Sequence, residues 1–241
     1  MSLTEQRALV AAGCRVAAAR GLVDGILGHL SLRVDDDRLL IRCRSDDDAG
    51  VAFTRPADIR LIYLDGSPGA AGELAGYRVP NELPIHVETL RADPARRAVA
   101  HLHPPAIVAA DLAGIALRPI YGAYDIPGAW LARGGVPVYP RAVLIRTTQL
   151  AAEMVAAMRD RPVVICRGHG IVSAAATVPQ AVLQAISLDR LAQLSLRVRG
   201  AGGTLRDIDE ADWVNLPDLG PGFAVDAVWR HEVARLPTQP S

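Results

Sequence analysis

Two histidines one residue apart, His101 and His103, stand at the end of the apolar run Ala98-Val99-Ala100 and directly ahead of Pro104-Pro105. Residues i and i+2 of a strand point to one face, roughly 6–7 Å apart at about 3.3 Å rise per residue. The pattern predicts a short strand over 98–101 that delivers two imidazoles to one spot. The prolines end the strand and suit the first turn of a following helix. A third histidine, His169, lies between Gly168 and Gly170 just past the apolar run Val163–Cys166. Glycine adds no side chain, so a histidine flanked by two of them can approach other backbone closely. Three imidazoles and one open position describe a catalytic rather than a structural metal site. The chain reads as a metal enzyme.

Bulk properties narrow the class further. The 241 residues fit one large domain or two small ones, and half of them are hydrophobic, enough for a substantial core. Lys+Arg and Asp+Glu stand at 26 each, so no net field draws the chain to nucleic acid or an anionic membrane. No apolar run approaches the roughly 20 residues that span a bilayer. The segment Met1–Glu5 lacks the basic and apolar regions of a secretory signal. Cys14, Cys43 and Cys166 are widely spaced and odd in number, which reads as buried thiols of a cytoplasmic protein rather than a disulfide framework. Cys166 stands three residues before His169, so a ligand role is open to it, but a small core residue on a buried strand is the simpler reading. The runs Asp35-Asp36-Asp37 and Asp46-Asp47-Asp48 read as solvated turns between strands.

Along the chain, apolar positions at helical spacing over 3–20 follow a capping box of Ser2 and Glu5, with Gly21 as terminator. His29–Val34 alternates polar and apolar, the mark of a half-buried strand. Arg38–Arg44 and Ile59–Leu64 read as further strands. A helix is predicted to open at 79–86 and run to Arg91, with Asn81 as its cap and Glu82 in its first turn. Val136–Tyr139 and Val163–Cys166 are strand-like, while 147–159, 177–199 and 222–235 are helical. Residues 200–220 read as a Gly- and Pro-rich surface loop. The expectation is a single domain over 1–241, one sheet covered by helices, with 200–241 as a C-terminal loop and helix extension.

Glu82 stands four residues before His86, a spacing that puts both on one helical face. A carboxylate beside a three-histidine metal can fill the open position or act as a general acid or base. Gly28-x-x-Ser31-x-Arg33, Glu82-x-x-x-His86, His101-x-His103-Pro104 and Arg167-Gly168-His169-Gly170 follow in that order over most of the chain. This series resembles the class II aldolase/adducin family. The resemblance implies an α/β fold, a three-layer α/β/α sandwich with a mostly antiparallel central sheet. It also implies a homotetramer with active sites between subunits. It makes His101, His103 and His169 the metal ligands, Glu82 the acid/base, and Tyr121 or Tyr124 a residue that serves a neighbouring subunit's site.

Phosphorylated-sugar members of the family carry Gly-Asn in the first motif and two serines before the catalytic Glu. Here His29 follows Gly28, and Pro80 and Asn81 precede Glu82. Proline offers neither hydroxyl nor backbone N–H to a phosphate. Arginine matches a carboxylate instead, and Arg33, Arg55 and Arg167 are available, with Asn81, His86 and Tyr124 as further substrate-binding candidates. The pattern therefore resembles the hydroxyaromatic, dihydroxyphthalate-type decarboxylases of the family. It implies a divalent-metal C–C lyase acting on a small dihydroxyaromatic or related hydroxy carboxylate, with Glu82 or His29 delivering a proton to carbon. Zinc is the default ion, with manganese, iron and cobalt as alternatives. The other readings are a class II aldolase or epimerase, a non-haem iron oxygenase, and a non-catalytic adducin-like module.

Overall fold

The computed structural model describes residues 1–220 and 222–237. Its first helix, α1 (Leu3–Ala19), begins where the capping box places it. Ser2 Oγ accepts the Glu5 amide at 3.3 Å, and the Glu5 carboxylate accepts the Ser2 amide at 2.6 Å. Strands β1 (His29–Arg33) and β2 (Arg38–Arg42) form an antiparallel hairpin. Asp35 Oδ1 accepts the amides of Asp37 and Arg38 in its turn, so the first acidic run is a turn as expected. Then come β3 (Arg44–Ser45), 3-10 turns at Val51–Phe53 and Pro56–Asp58, β4 (Ile59–Tyr63), β5 (Tyr77–Arg78), α2 (Leu83–Ala92), β6 (Ala98–Leu102), α3 (Pro105–Leu112) and α4 (Ile126–Ala132). The remainder runs β7 (Val138–Tyr139), α5 (Thr148–Met158), β8 (Val163–Cys166), β9 (Gly170–Ala175), α6 (Val178–Gly200), a 3-10 turn at Glu210–Asn215, and α7 (Val225–Ala234).

Seven strands form one sheet in the order β4-β2-β1-β6-β9-β8-β7, and β3 pairs with β5 apart from it. Every neighbour pair in the large sheet is antiparallel except β7 with β8. The alternation of β6 decides the layers. Ala98, Ala100 and Leu102 enter a core with Val10 and Cys14 of α1, Ile107 of α3 and Val182 of α6. Val99 faces the other way, toward Ile85 and Leu90 of α2 and Met154 and Met158 of α5. The result is an α/β sandwich with helices on both faces of a mostly antiparallel sheet.

That double covering corrects one expectation. β1 is buried on both faces rather than half-buried, and Ser31 is 0 % exposed. Its polar residues face α2 rather than water. A second correction concerns α2. The cap position belongs to Glu82, not Asn81, and the Glu82 side chain makes no capping bond because its carboxylate is turned into the centre described below. Strand β9 and helix α4 were not expected. The six residues of β9 follow His169 with no turn residue beyond Gly170, and α4 spans only seven residues and holds Pro127 and Gly128. The expected loop 200–220 contains the 3-10 turn at Glu210–Asn215. Among the described residues, no helix is long and apolar enough to cross a membrane.

Candidate metal centre

The β-sheet register sets His29 of β1 directly opposite His101 of β6. His101 is 0 % exposed, and its Nδ1 lies 3.0 Å from the Ile171 carbonyl of β9. A ring nitrogen facing a carbonyl must carry the proton, so Nδ1–H donates and Nε2 is the nitrogen turned toward the cluster. His103, one residue past the end of β6, brings its Nε2 to 3.1 Å from His101 Nε2. The third imidazole, His169, occupies the β8–β9 turn, with its ring centre 4.9 Å from each of the other two.

Glycines on both sides of His169 make this approach feasible. Gly168 has φ +56, and a side chain on Gly170 would overlap the Leu102 carbonyl and lie 2.7 Å from His103 Cδ2. The turn is held from below by Asp111 of α3, whose carboxylate accepts the Gly168 amide at 2.7 Å. Glu82 closes the group. Its Oε1 accepts the Ile145 amide at 2.9 Å, while Oε2 lies 3.3 Å from His101 Nε2 and 3.6 Å from His169 Nε2. One ligand atom from each of Glu82, His101, His103 and His169 fits within 4.8 Å of all the others.

Charge states suit metal binding. Burial pushes the Glu82 carboxyl upward, but the hydrogen bond and charge of His101, the charge of His169 and the Ile145 amide together hold it down at about 2. Burial, reinforced by the charges of His101 and His169, brings His103 down to about 3. Burial, then His101, also lowers His169, against the opposing pull of Glu82 and the Val143 backbone. The carboxylate is thus ionised and these imidazoles neutral at pH 7, the forms that coordinate. Two nitrogens on one tetrahedral zinc, each bonded at about 2.0–2.1 Å, stand roughly 3.3 Å apart. The 3.1 Å between His101 and His103 fits that span. The donor set fits a divalent ion held by His101, His103 and His169.

Behind the cluster, His29 Nδ1 meets His86 Nε2 at 2.7 Å, and His86 Nδ1 meets Ser31 Oγ at 2.6 Å. His86 is therefore fully buried with both nitrogens engaged, and it supports His29 rather than lining the site. It reaches His29 and Ser31 rather than pairing with Glu82, because Glu82 lies outside the helix proper. Asn81 is exposed immediately before Glu82. Arg33, at the far end of β1, donates to the Leu90 carbonyl near the C-terminus of α2. Arg55 is paired with Asp58 at 3.1 Å, its side chain 61 % exposed. Arg167 flanks the His169 turn, with its Nε 3.6 Å from Asp111. Tyr121 donates to the Ser187 carbonyl of α6 at 3.4 Å, and burial raises its hydroxyl well above the ordinary range. Tyr124 is exposed against Tyr121. Neither tyrosine belongs to the group around Glu82. Cys166 is core, its thiol pushed up to about 12 by burial and the Glu82 charge, and all three cysteines are buried and free.

Sequence reasoning gave no role to Ser31, Asp111, Ile145 and Arg42. Ser31 carried a signal, since it lies two residues from His29 on the same strand face. Asp111 and Ile145 carried none, because they reach the site through pairings between distant segments. Arg42, buried on β2, has nearer partners, Asp48 six residues on at 2.6 Å and Thr54 Oγ1 twelve residues on at 3.0 Å.

Comparison with known proteins places this geometry. The family model described as Class II Aldolase and Adducin N-terminal domain matches residues 8–196. The chain is 72 % identical over 233 residues to a 3,4-dihydroxyphthalate decarboxylase of Rhodococcus jostii (strain RHA1), covering 96 % of each. It is 61 % identical over 231 residues to a protein of the same description from Terrabacter sp. (strain DBF63), covering 96 % of this chain and 97 % of that one. Among solved structures, an aldolase II superfamily protein from Pseudomonas syringae superposes with a TM-score of 0.81 at 21 % identity, over 97 % of this chain and 92 % of that one.

Proposed function

This chain belongs to the class II aldolase and adducin family, and from that premise we propose that it is a divalent-metal lyase that decarboxylates 3,4-dihydroxyphthalate. The observation that carries the reading is the near full-length identity to the Rhodococcus decarboxylase, on a chain that gathers Glu82, His101, His103 and His169 into one cluster.

Protonation of the ring carbon that bears the carboxylate, ortho to a phenolate, makes that carbon tetrahedral, and loss of carbon dioxide then delivers the C–C electron pair through the ring onto the adjacent oxygen. A divalent ion held by His101, His103 and His169 would supply Lewis acidity to that oxygen. Glu82 handles the proton. With Oε1 fixed by the Ile145 amide, Oε2 is the oxygen turned toward the imidazoles. Ionised, it accepts the ortho-hydroxyl proton and passes it to the carboxylate-bearing ring carbon, after which the C–C bond breaks and carbon dioxide leaves. The phenol oxygen of the product then takes a proton from water, so the sum is one carboxylate and one proton giving C–H and carbon dioxide.

Zinc is the proposed ion, since three histidines and one open position suit it. Asn81, beside Glu82, is the foremost of the proposed substrate contacts, with Arg55 and Arg167 as candidate partners for the second carboxylate. The proposed assembly is a cytoplasmic homotetramer with sites between subunits. Tyr124, 67 % exposed, is the tyrosine free to reach a neighbouring protomer, because the Tyr121 hydroxyl is already donated.

The test is elemental analysis of the purified protein together with carbon dioxide release from 3,4-dihydroxyphthalate. Stoichiometric metal and turnover, both lost in His103→Ala, are expected. Metal without carbon dioxide release would refute the decarboxylase reading and favour an aldolase or oxygenase. Light scattering checks the tetramer.

A further inference from the structure

His29, His86 and Ser31 form a closed hydrogen-bonded line, and its protons can be counted. Ser31 and His86 are 0 % exposed and His29 is 9 % exposed. β1 carries His29 and Ser31 on one face, and α2 lowers His86 between them. Only one proton fits in the 2.7 Å between His29 Nδ1 and His86 Nε2, and only one in the 2.6 Å between His86 Nδ1 and Ser31 Oγ.

The direction of the line follows from its buried end. Among the described residues, His86 is the one hydrogen-bond partner of Ser31 Oγ. If His86 donated to Ser31, the serine hydrogen would be buried without an acceptor, a strongly disfavoured state. Ser31 therefore donates to His86 Nδ1. The His86 proton must then sit on Nε2, which donates to His29 Nδ1. With Nδ1 an acceptor, the proton of His29 sits on Nε2, its remaining ring nitrogen. Burial, above all, keeps both rings neutral, so each has one donor and one acceptor to assign.

We propose that Ser31 and His86 lock His29 as its Nε2–H tautomer, making it a hydrogen-bond donor to an anionic oxygen of the substrate and barring it from the metal. The His29 ring lies 5.2 Å from that of His101, beside the group of Glu82, His101, His103 and His169 rather than within it. A protonated nitrogen has no lone pair to give, so the open position stays free for substrate. The substrate's identity rests on the decarboxylase reading, but the tautomer does not. Ser31 and His86 are positioning residues, and His29 is the group that touches substrate.

The experiment is a two-bond proton–nitrogen correlation spectrum of the zinc-loaded protein labelled with 15N-histidine. The His29 signals are assigned by their loss in His29→Gln. Protonated-type Nε2 and lone-pair-type Nδ1 are expected for His29 in the unmodified protein. An Nδ1–H tautomer, or an Nε2 displaced by bound zinc, overturns the proposal, and both are read in the unmodified protein. In Ser31→Ala the opposite tautomer should become populated, with KM raised about 10-fold or more and metal content unchanged, as loss of a bond to a charged group implies. Ser31→Thr should restore both. An unchanged tautomer in Ser31→Ala would remove Ser31 from the mechanism and overturn the lock. Absence of carbon dioxide release with the Nε2–H tautomer present would sink the function reading and leave this inference standing.

Discussion

The carboxylate of Asp111 accepts the backbone amide of Gly168 at 2.7 Å, so helix α3 holds the turn that carries His169. The contact joins residues 57 positions apart and is made by a side chain only 5 % exposed. Asp111 does not reach the imidazoles, yet it sets the height of one of them. Partners that orient metal ligands are typically worth about 10–100-fold in metal affinity. Asp111→Ala should lower zinc affinity by about that factor in a competition titration. Asp111→Asn, which keeps an accepting oxygen, should lose much less. Equal affinities in all three proteins would mean that the turn holds itself.

Glu82→Gln isolates the proton-handling role. The amide oxygen of glutamine can still accept from Ile145, so the local backbone is expected to stay in place. The proton acceptor is gone, and kcat should fall by about 10²–10⁴-fold, the usual share of a general acid or base. Activity within tenfold of the parent, at equal metal content, would assign the proton transfer elsewhere.

Gly170→Ala tests the close approach of β9 to His103. The added methyl would sit 2.7 Å from His103 Cδ2 and against the Leu102 carbonyl, part of which is rigid sheet backbone. Overpacking of this kind costs about 1–3 kcal/mol. A lowered melting temperature and a weakened metal site are expected together. A variant as stable and as tight for zinc as the parent would show that β6 and β9 can separate freely.

Acid should destabilise the metal-free protein. Burial, with the charge of His101, brings His86 down to about 3 from its ordinary 6.5, and His103 lies at about 3 as well. Glu82 is held at about 2, below its ordinary 4.5. Between ordinary and folded values, the unfolded chain binds protons that the native state refuses, so stability rises with pH across that interval. Stability should therefore fall as pH drops below about 6.5, by up to about 1.4 kcal/mol per pH unit for each such histidine. Glu82 adds its share below about 4.5. Urea midpoints at pH 7, 5.5 and 4 should decline in order, and a flat series would contradict the burial of His86.

Much of the centre was legible in the chain because its signals are local. The step from His101 to His103 is one strand period, and the glycines around His169 mark a close approach wherever the turn goes. Ser2 with Glu5 announces α1, and the alternation of apolar residues along β1, β2 and β4 announces strands. Glu82 was legible as a carboxylate near the site through its place in the motif series, though not as a residue outside its helix. The place of His86 between His29 and Ser31 was not legible, since its spacing from Glu82 is local information and its burial is not. Arg33 and Arg55 were equally visible as charges, but their contacts with the Leu90 carbonyl and with Asp58 were not.

The sequence by itself brought forward His101, His103, His169 and Glu82 as one candidate group through residue type and the order of motifs, and a sheet covered by helices through periods of 2 and 3.6. The tertiary structure alone decided that β1 is buried on both faces, that His29 lies opposite His101, that Ser31 and His86 stand behind His29, and that Asp111 and Ile145 brace His169 and Glu82. Those relationships arise when sheet register and helix packing bring together groups tens of residues apart, and no local spacing encodes which of them will meet.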